Sequence, residues 1–396
     1  MSSRTVPGSR LTVYPAAVIV AIAIGIFVGA ATADRNGGYY SGDYPAFYGA
    51  GKIAASGDWD NLYDLDRQIE AQRELIPDDE QGARFFAYPP QVALAYRPLA
   101  AADFFPSYLT HTLGMGLLLW GALLVARPMV PWLQGRVALG IAAALVFWPM
   151  FRTVTGGSNT ALVIFLVVAA WRLVYDDRQV LGGLVLAGLL FKPQFALPLI
   201  GLFWLGRYWR VVGGAALGAV VFYVSGVALR GWGWVLEWLD VAGEFGRIDA
   251  EVNGHSAITF IGFAENQFGV GMSAPVAIAW LLAIGTAVFL SLLWWRSPGE
   301  DLDRLLAVTM PGVLLLSLHA MSHDGAVVVI TAAVACQVWN RARWLPWVAA
   351  IWVLGACQTW IRQIGWSPGI LMLLLALWWG WLVLKTPRAG QSRVVG

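Results

Sequence analysis

The sequence predicts an all-α integral membrane protein, a bundle of about twelve transmembrane helices with further amphipathic helices outside the bilayer. Three observations lead to this fold class. Hydrophobic residues make up 58% of the 396 residues and charged residues only 13%, well below the roughly 25% usual in soluble domains. Apolar runs long enough to span a bilayer recur along the chain, and the mean hydropathy is +0.64. The 22 tryptophans and 44 glycines suit interfacial anchoring and close helix packing in lipid.

The apolar run at 13–33 follows Arg4 and Arg10 and has to be distinguished from a signal peptide. Its roughly 20 apolar residues exceed the 7 to 15 of a usual signal-peptide core, so we interpret it as a retained first span. The remaining spans are predicted near 108–126, 136–151, 158–175, 180–191, 194–205, 211–229, 273–295, 305–318, 324–339, 343–360 and 367–384.

Charge distribution favours twelve spans with both termini in the cytoplasm. More than half of the 26 basic residues then lie inside, and most of the 24 acidic residues lie outside. Merging 180–191 with 194–205 into one kinked helix would invert everything after Gly206 and move several arginine pairs to the outer side. We therefore expect a multi-pass membrane protein that forms one transmembrane domain. Its long outer segments, 34–107 and 230–272, are expected to carry short amphipathic helices on the membrane surface.

Composition also limits the functions to consider. A net charge of +2 gives no indication of nucleic acid binding. Cys336 and Cys357 lie in apolar segments and are too few for a disulfide framework or a metal cluster. The sequence contains no P-loop, and the predicted cytoplasmic loops are too short for a nucleotide-sugar fold. A substrate is therefore expected to arrive from the outer side or from within the bilayer.

The first polar motif of interest surrounds Asp43, about ten residues after the first predicted span. A carboxylate at the membrane face, partly desolvated by Tyr44 and Tyr48, is a candidate general base. A turn or helix N-cap aspartate is the more common role for this pattern. Tyr88 precedes Pro89 and Pro90, and it either lines a site or anchors the chain at the interface.

Two further motifs lie at predicted outer ends of spans. Asn159 follows Gly157 and Ser158, where it either caps a helix or helps to bind an anionic oxygen. Lys192 lies between two short spans, and Gln194 is the first residue of the second. A cation close to apolar depth needs a carboxylate, a carbonyl or a ligand anion, or it reaches the interface with its long side chain. A lipid phosphate is the ligand anion that we consider here.

Histidines mark the last candidate motif, between two late spans. His319 and His323 are four residues apart, and Asp324 follows them. The glutamate of a zinc protease motif is absent, so no metal cofactor is indicated, although a metal ion is compatible with a phosphate leaving group. We favour histidines that donate to a phosphate or orient a carboxylate, against a purely structural turn. His255, in the second outer segment, is a weaker substrate-binding candidate.

Taken in order, these motifs resemble glycosyltransferase family 87 of the GT-C superfamily. The resemblance rests on 43–51, 62–64, 88–90, 157–159, 192–194 and 317–324. It implies a polyprenyl phosphate-linked hexose donor, typically mannose, a lipid or glycan acceptor, and inverting transfer at the periplasmic face of the bacterial inner membrane, so that the outer segments 34–107 and 230–272 would be periplasmic. It places the catalytic base on Asp43 and the late catalytic turn on His323 and Asp324. The chain departs from the family's common Ser-Pro and Asp-Tyr-Asp at 317–318 and 322–324.

Two other classes remain open at this stage. A secondary transporter or a flippase of lipid-linked sugars would use ionisable groups on broken helices, and Lys192 beside Pro193 fits that pattern. In a structural membrane protein, the Asp, Lys and His residues of the outer cluster would only cap helices and anchor the chain at the interface.

Overall fold

The computed structural model describes residues 42–75, 84–297, 302–361 and 365–387, together with Val20 and Ile24. The first predicted span, 13–33, lies outside the described residues apart from those two positions. Within the described ranges, the backbone forms α-helices and short 3-10 helices, and its one β-contact is an isolated bridge between Ala257 and Met321.

Seventeen α-helices follow one another in the described part of the chain. They are α1 Tyr44–Ser56, α2 Leu65–Gln72, α3 Pro90–Tyr96, α4 Phe104–Ala126, α5 Val137–Val146, α6 Trp148–Thr155, α7 Thr160–Tyr175, α8 Gln179–Ala187, α9 Pro193–Leu205, α10 Trp209–Arg230, α11 Trp234–Asn253, α12 Phe260–Phe268, α13 Ala274–Arg296, α14 Leu302–Leu316, α15 Val328–Val338, α16 Arg341–Ile361 and α17 Gly369–Lys385.

Three of the described helices, α4, α10 and α13, are long and apolar enough to cross a bilayer. The joined helices α5 and α6 make a fourth if the bent pair is one span. Other apolar segments are shorter, such as Thr160–Tyr175 and Gly369–Lys385. The structure therefore has the helical, apolar character of a membrane protein, and twelve crossings stay a prediction.

The outward faces of the long helices support a lipid environment. Leu113 of α4, Val221 of α10 and Leu281 of α13 are 68%, 61% and 68% exposed. Helices with so much apolar surface uncovered by protein need an apolar solvent.

The predicted span at 136–151 differs from the structure. The chain turns by 92° at Phe147, between α5 and α6, instead of continuing as one straight helix. Pro149 lies in the first turn of α6. Because proline has no N–H to donate to the preceding turn, and its ring collides with that turn, the helix ends and restarts there.

Cations at the predicted cytoplasmic end lie on tryptophan faces. The guanidinium of Arg343 is 4.0 Å from the ring centre of Trp339, and the amine of Lys385 is 4.4 Å from that of Trp381. Such pairs place a charge in the headgroup layer while the indole covers apolar surface, which suits an interfacial position.

Small residues allow two helices to approach closely in the bundle interior. Gly183 of α8 faces the carbonyl of Val211, and Gly214 of α10 faces the carbonyl of Val180. A Cβ atom at either glycine would overlap the opposite carbonyl oxygen. This packing by close backbone approach is characteristic of helices in lipid, where hydrophobic burial contributes little to helix association.

The turns that carry the polar motifs meet at one end of the bundle. The amide of Asp43 donates to the carbonyl of Gly156 at 2.9 Å, and the amide of Ile258 donates to that of Ala320 at 3.1 Å. Gly157 has φ +71° beside Tyr44, and a Cβ atom on Gly157 would lie 2.5 Å from the Tyr44 Cβ. Glycine is required there both by the positive φ and by the contact.

Gly157→Ala is expected to destabilise the protein more than Gly135→Ala does. Both glycines have φ +71°, but nothing lies within 4 Å of a Cβ on Gly135. The control therefore carries only the conformational cost, about 1 kcal/mol. Thermal unfolding of the purified variants in detergent measures the difference, and equal melting temperatures would contradict the close contact at Gly157.

Candidate active site

Asp43 and His323 form the centre of the polar cluster. The Nε2 atom of His323 lies 3.6 Å from Oδ2 of Asp43, and their side chains are 20% and 40% exposed. Asp43 occupies the N-cap position of α1, yet its carboxylate makes no capping hydrogen bond. The capping role considered from the sequence is therefore not its role here, and the carboxylate is accessible to a ligand.

A side chain of α6 hydrogen-bonds to the backbone of His323. The hydroxyl oxygen of Thr153 lies 2.8 Å from the carbonyl oxygen of His323 and 2.9 Å from that of Pro149, and its single proton is shared between the two acceptors. The next turn of the same segment, at Gly156, accepts from the amide of Asp43. One short helix therefore fixes the backbone of both residues of the pair.

A buried ion pair lies behind His323. The amine of Lys192 is 2.8 Å from Oδ1 of Asp324, and their side chains are only 3% and 4% exposed. Thr160 donates to the same oxygen at 2.6 Å and accepts from Lys192 at 3.2 Å. The other oxygen, Oδ2, accepts from the amide of Met321 at 3.2 Å and lies 3.8 Å from Nε2 of His323. Desolvated charges of this kind are stable only when they are paired and hydrogen-bonded.

The ion pair corrects two of the expectations from the sequence. Of the partners left open for Lys192, the structure has the carboxylate, and the amine is not presented to a ligand phosphate because it is buried. Asp324 is likewise covered, so it faces His323 rather than a substrate. Both residues support the histidine from within the protein.

Tyr44 and Tyr48 are also supporting residues rather than substrate contacts. Both rings are buried in an aromatic cluster that includes Phe104. The hydroxyl of Tyr44 hydrogen-bonds to Ser107, and burial raises the pKa of Tyr44 to about 12. The hydroxyl of Tyr48 donates to the carbonyl of Ala102 at 3.0 Å. Their packing fixes the first turn of α1, which follows Asp43.

Tyr88 lies at the edge of the cluster and stays half-buried. Its ring packs 5.0 Å from that of Phe47. Burial raises the pKa of Tyr88 well above its usual value, and the negative charges of Asp43 and Asp324 raise it further. Its hydroxyl therefore stays protonated beside the carboxylates and is available as a hydrogen-bond donor.

Asn159, Gln194 and His255 are placed less directly. Asn159 precedes α7 without a side-chain capping bond, and its buried Oδ1 has no hydrogen-bond partner among the described residues. Gln194 is half-buried in the first turn of α9, two residues after Lys192. The carbonyl of His255 accepts from Gln358 at 3.1 Å. Of these three residues, Asn159 is the one with a buried side-chain oxygen that lacks a hydrogen-bond partner among the described residues.

A second histidine–carboxylate pair flanks the first. Nδ1 of His319 lies 3.6 Å from Oδ2 of Asp249, and the His319 ring packs against Phe245 of α11. Asp249 is buried, and its Oδ1 accepts from Asn253 at 2.6 Å. The sequence motifs did not single out Asp249 or Thr160. An acidic outer segment was the only signal for Asp249, and a threonine at a helix start is too common to attract notice.

The family can now be assigned. The model of glycosyltransferase family 87 matches residues 86–322, more than half of the chain. The chain belongs to glycosyltransferase family 87. The resemblance inferred from the motifs is thereby confirmed. The matched region includes Tyr88, Asn159 and Lys192, whereas Asp43 and His323 lie outside it, so their roles are argued from geometry.

A curated relative supports the same assignment. The polyprenol-phosphate-mannose-dependent alpha-(1-2)-phosphatidylinositol pentamannoside mannosyltransferase of Mycolicibacterium smegmatis is 29% identical over 250 residues. The match spans 60% of this family 87 chain and 55%, about half, of the relative's length. No solved structure matches the chain.

Lys192→Met is expected to destabilise the protein strongly, by about 3 to 5 kcal/mol, because it leaves Asp324 charged and unpaired in a buried position. Replacing both partners, in Lys192→Met with Asp324→Leu, is expected to restore much of that stability. The matched control is Lys52→Met, which breaks a 3.0 Å pair between the half-buried Lys52 and the exposed Glu74; such a solvent-accessible pair is worth at most about 1 kcal/mol. Thermal unfolding in detergent checks all three variants. Equal losses for Lys192 and Lys52 would contradict the structural role of the buried pair.

Proposed function

We propose that this protein is a membrane glycosyltransferase that moves a hexose, in the first instance mannose, from a polyprenyl phosphate donor to a hydroxyl of a lipid or glycan. The 3.6 Å pair of Asp43 and His323, partly exposed where the polar turns meet, carries the proposal. Family membership supports the reaction class. The name of the mycobacterial relative supports the donor class and the sugar. The reaction takes place at the periplasmic face, where the charge distribution of the sequence places these turns.

Asp43 acts as the general base in this mechanism. One carboxylate oxygen accepts the proton of the acceptor hydroxyl as that oxygen forms a bond to the anomeric carbon. The bond from the anomeric carbon to the donor phosphate oxygen breaks at the same time, and its electron pair leaves with the lipid phosphate. A single displacement inverts the configuration of the sugar, so one base is sufficient.

His323 positions that base. Its Nε2 lies beside Oδ2 of Asp43, which leaves Oδ1 for the acceptor hydroxyl. A separation of 3.6 Å without substrate is compatible with catalysis, because such contacts often shorten when the substrate binds. Asp324 stands 3.8 Å behind the same nitrogen and is fixed by Lys192 and Thr160. The imidazole is therefore oriented between a partly exposed carboxylate, that of Asp43, and a buried one, that of Asp324.

The transporter interpretation is less well supported. It depended on Lys192 at a break between short helices, as a site for a transported ion or anion. In the structure, the amine of Lys192 is bonded to Asp324 and Thr160 and has almost no exposed surface. The glycosyltransferase mechanism accounts for that arrangement, because it fixes the turn that carries His323.

Asp43→Asn is expected to lower the rate of transfer by about 100-fold or more, because an amide cannot accept the proton. The measurement is transfer of radiolabelled mannose from polyprenyl phosphate-mannose in membranes that contain the variant. Asp60→Asn serves as the control, since Asp60 is an exposed aspartate in the same outer segment. Wild-type activity in a correctly inserted Asp43→Asn protein would exclude Asp43 as the base.

The purified enzyme in liposomes is expected to use polyprenyl phosphate-mannose and not the nucleotide donor GDP-mannose. A lipid donor is oriented by burial of its chain in the bilayer, whereas the described outer turns contain no glycine-rich phosphate loop. Product formation with each donor, at equal concentration, is the measurement. Efficient transfer from GDP-mannose in the absence of polyprenyl phosphate would contradict the proposed donor class.

A further inference from the structure

The proposed reaction releases a lipid phosphate. The negative charge that develops on this phosphate has to be stabilised by a cation or by hydrogen-bond donors. The charged groups within 4 Å of the His323 imidazole are the carboxylates of Asp43 and Asp324, and Asp249 adds a further carboxylate beside the neighbouring His319. The nearest amine, that of Lys192, is already bonded to Asp324 and buried. A developing phosphate charge requires donors that are in place before the bond breaks. A second cation is therefore needed close to the pair of Asp43 and His323.

Arg152 occupies a suitable position. It lies in the last turn of α6, immediately before Thr153, whose hydroxyl holds the carbonyl of His323. Four residues after Arg152, the carbonyl of Gly156 holds the amide of Asp43. The guanidinium is folded toward that glycine, with Nη2 3.3 Å from the point where a Cβ on Gly156 would stand. The positive charge of Arg152 therefore lies at the same end of α6 as Thr153 and Gly156, the two residues that hold the backbones of His323 and Asp43.

Arg152 is also free of a carboxylate partner. Among the residues that the structure describes, no acidic oxygen lies within 4 Å of its guanidinium, and the side chain is half-buried. Four other basic residues predicted to be outside are engaged in ion pairs, namely Lys52, Arg67, Arg73 and Arg230. Arg97 and Arg247 are exposed on the surface. A half-buried guanidinium without a carboxylate partner, folded toward the glycine that holds the amide of Asp43, is a ready donor for an anion.

We infer that Arg152 binds the phosphate group of the lipid-linked donor and stabilises it as it leaves. The inference rests on the proposed function and adds a residue to the same site. A guanidinium suits this role because its N–H groups match two phosphate oxygens at once. It remains protonated throughout, so no proton moves from it. When the bond between the anomeric carbon and the phosphate oxygen breaks, its electron pair stays on that oxygen, and the guanidinium N–H groups donate hydrogen bonds to the phosphate.

A purely structural role is the competing explanation. An arginine in the last turn of a helix interacts favourably with the carbonyl groups at that end. Such an interaction stabilises α6 but gives no preference for a phosphate over an alcohol. The two roles therefore differ in ligand binding, and a pair of ligands that differ only in the phosphate separates them.

The experiment measures binding of farnesyl phosphate and of farnesol to the full-length protein in detergent. Wild-type protein is expected to bind farnesyl phosphate more tightly than farnesol. Arg152→Gln is expected to weaken binding of farnesyl phosphate by about 10- to 100-fold and to leave farnesol unchanged. Arg97→Gln, which removes an exposed arginine, is expected to change neither.

The outcomes distinguish this inference from the proposed function. A wild-type protein without preference for farnesyl phosphate would overturn the phosphate-linked donor, and with it the role of Arg152. A preference that persists in Arg152→Gln would overturn the role of Arg152 alone. If that variant does not fold, labelling of wild-type protein with phenylglyoxal decides: farnesyl phosphate, but not farnesol, must protect Arg152 from modification. Equal labelling of Arg152 with both ligands would also overturn the inference.

Discussion

The geometry of the site depends on the buried pair of Lys192 and Asp324. Each charge is almost completely removed from solvent, and neither is stable there without the other. Because the two residues are 132 positions apart in the sequence, their meeting draws together the start of α9 and the turn that carries His323. Thr160 adds the start of α7 to the same contact. The orientation of His323 toward Asp43 follows from this constraint.

A second support comes from the short helix α6, which leaves the direction of α5 at 92°. It presents Thr153 to the backbone of His323 and Gly156 to the backbone of Asp43. The two supports act on different parts of the catalytic turn. The ion pair fixes the residue after His323, and α6 fixes its carbonyl. The imidazole itself remains partly exposed, with 20% of the His323 side chain accessible.

Much of this arrangement was predictable from the sequence, because hydropathy predicts the positions of the helices and the positive-inside rule assigns each loop to one side of the membrane. Those two signals placed Asp43 and His323 at the same end of the bundle. They did not predict the 92° turn between α5 and α6, because an apolar run has the same hydropathy in a straight helix as in a broken one. They also did not assign Tyr44 and Tyr48, because aromatic residues at a membrane face fit a lining role and a core role equally well. The partner of Lys192 lies far away in sequence, and no spacing rule connects them.

One backbone hydrogen bond has a consequence for how the enzyme meets large acceptors. The amide of Ile258 donates to the carbonyl of Ala320, and Ala257 pairs with Met321. These contacts join the connection between α11 and α12 to the turn that carries His323 through main-chain atoms, so a substitution that keeps the backbone N–H of Ile258 leaves the hydrogen bond in place. The connection between α11 and α12 is therefore tied through main-chain atoms to the turn that carries His323. A shift of this connection reaches the backbone three residues before the imidazole, so the two segments are expected to move together rather than separately.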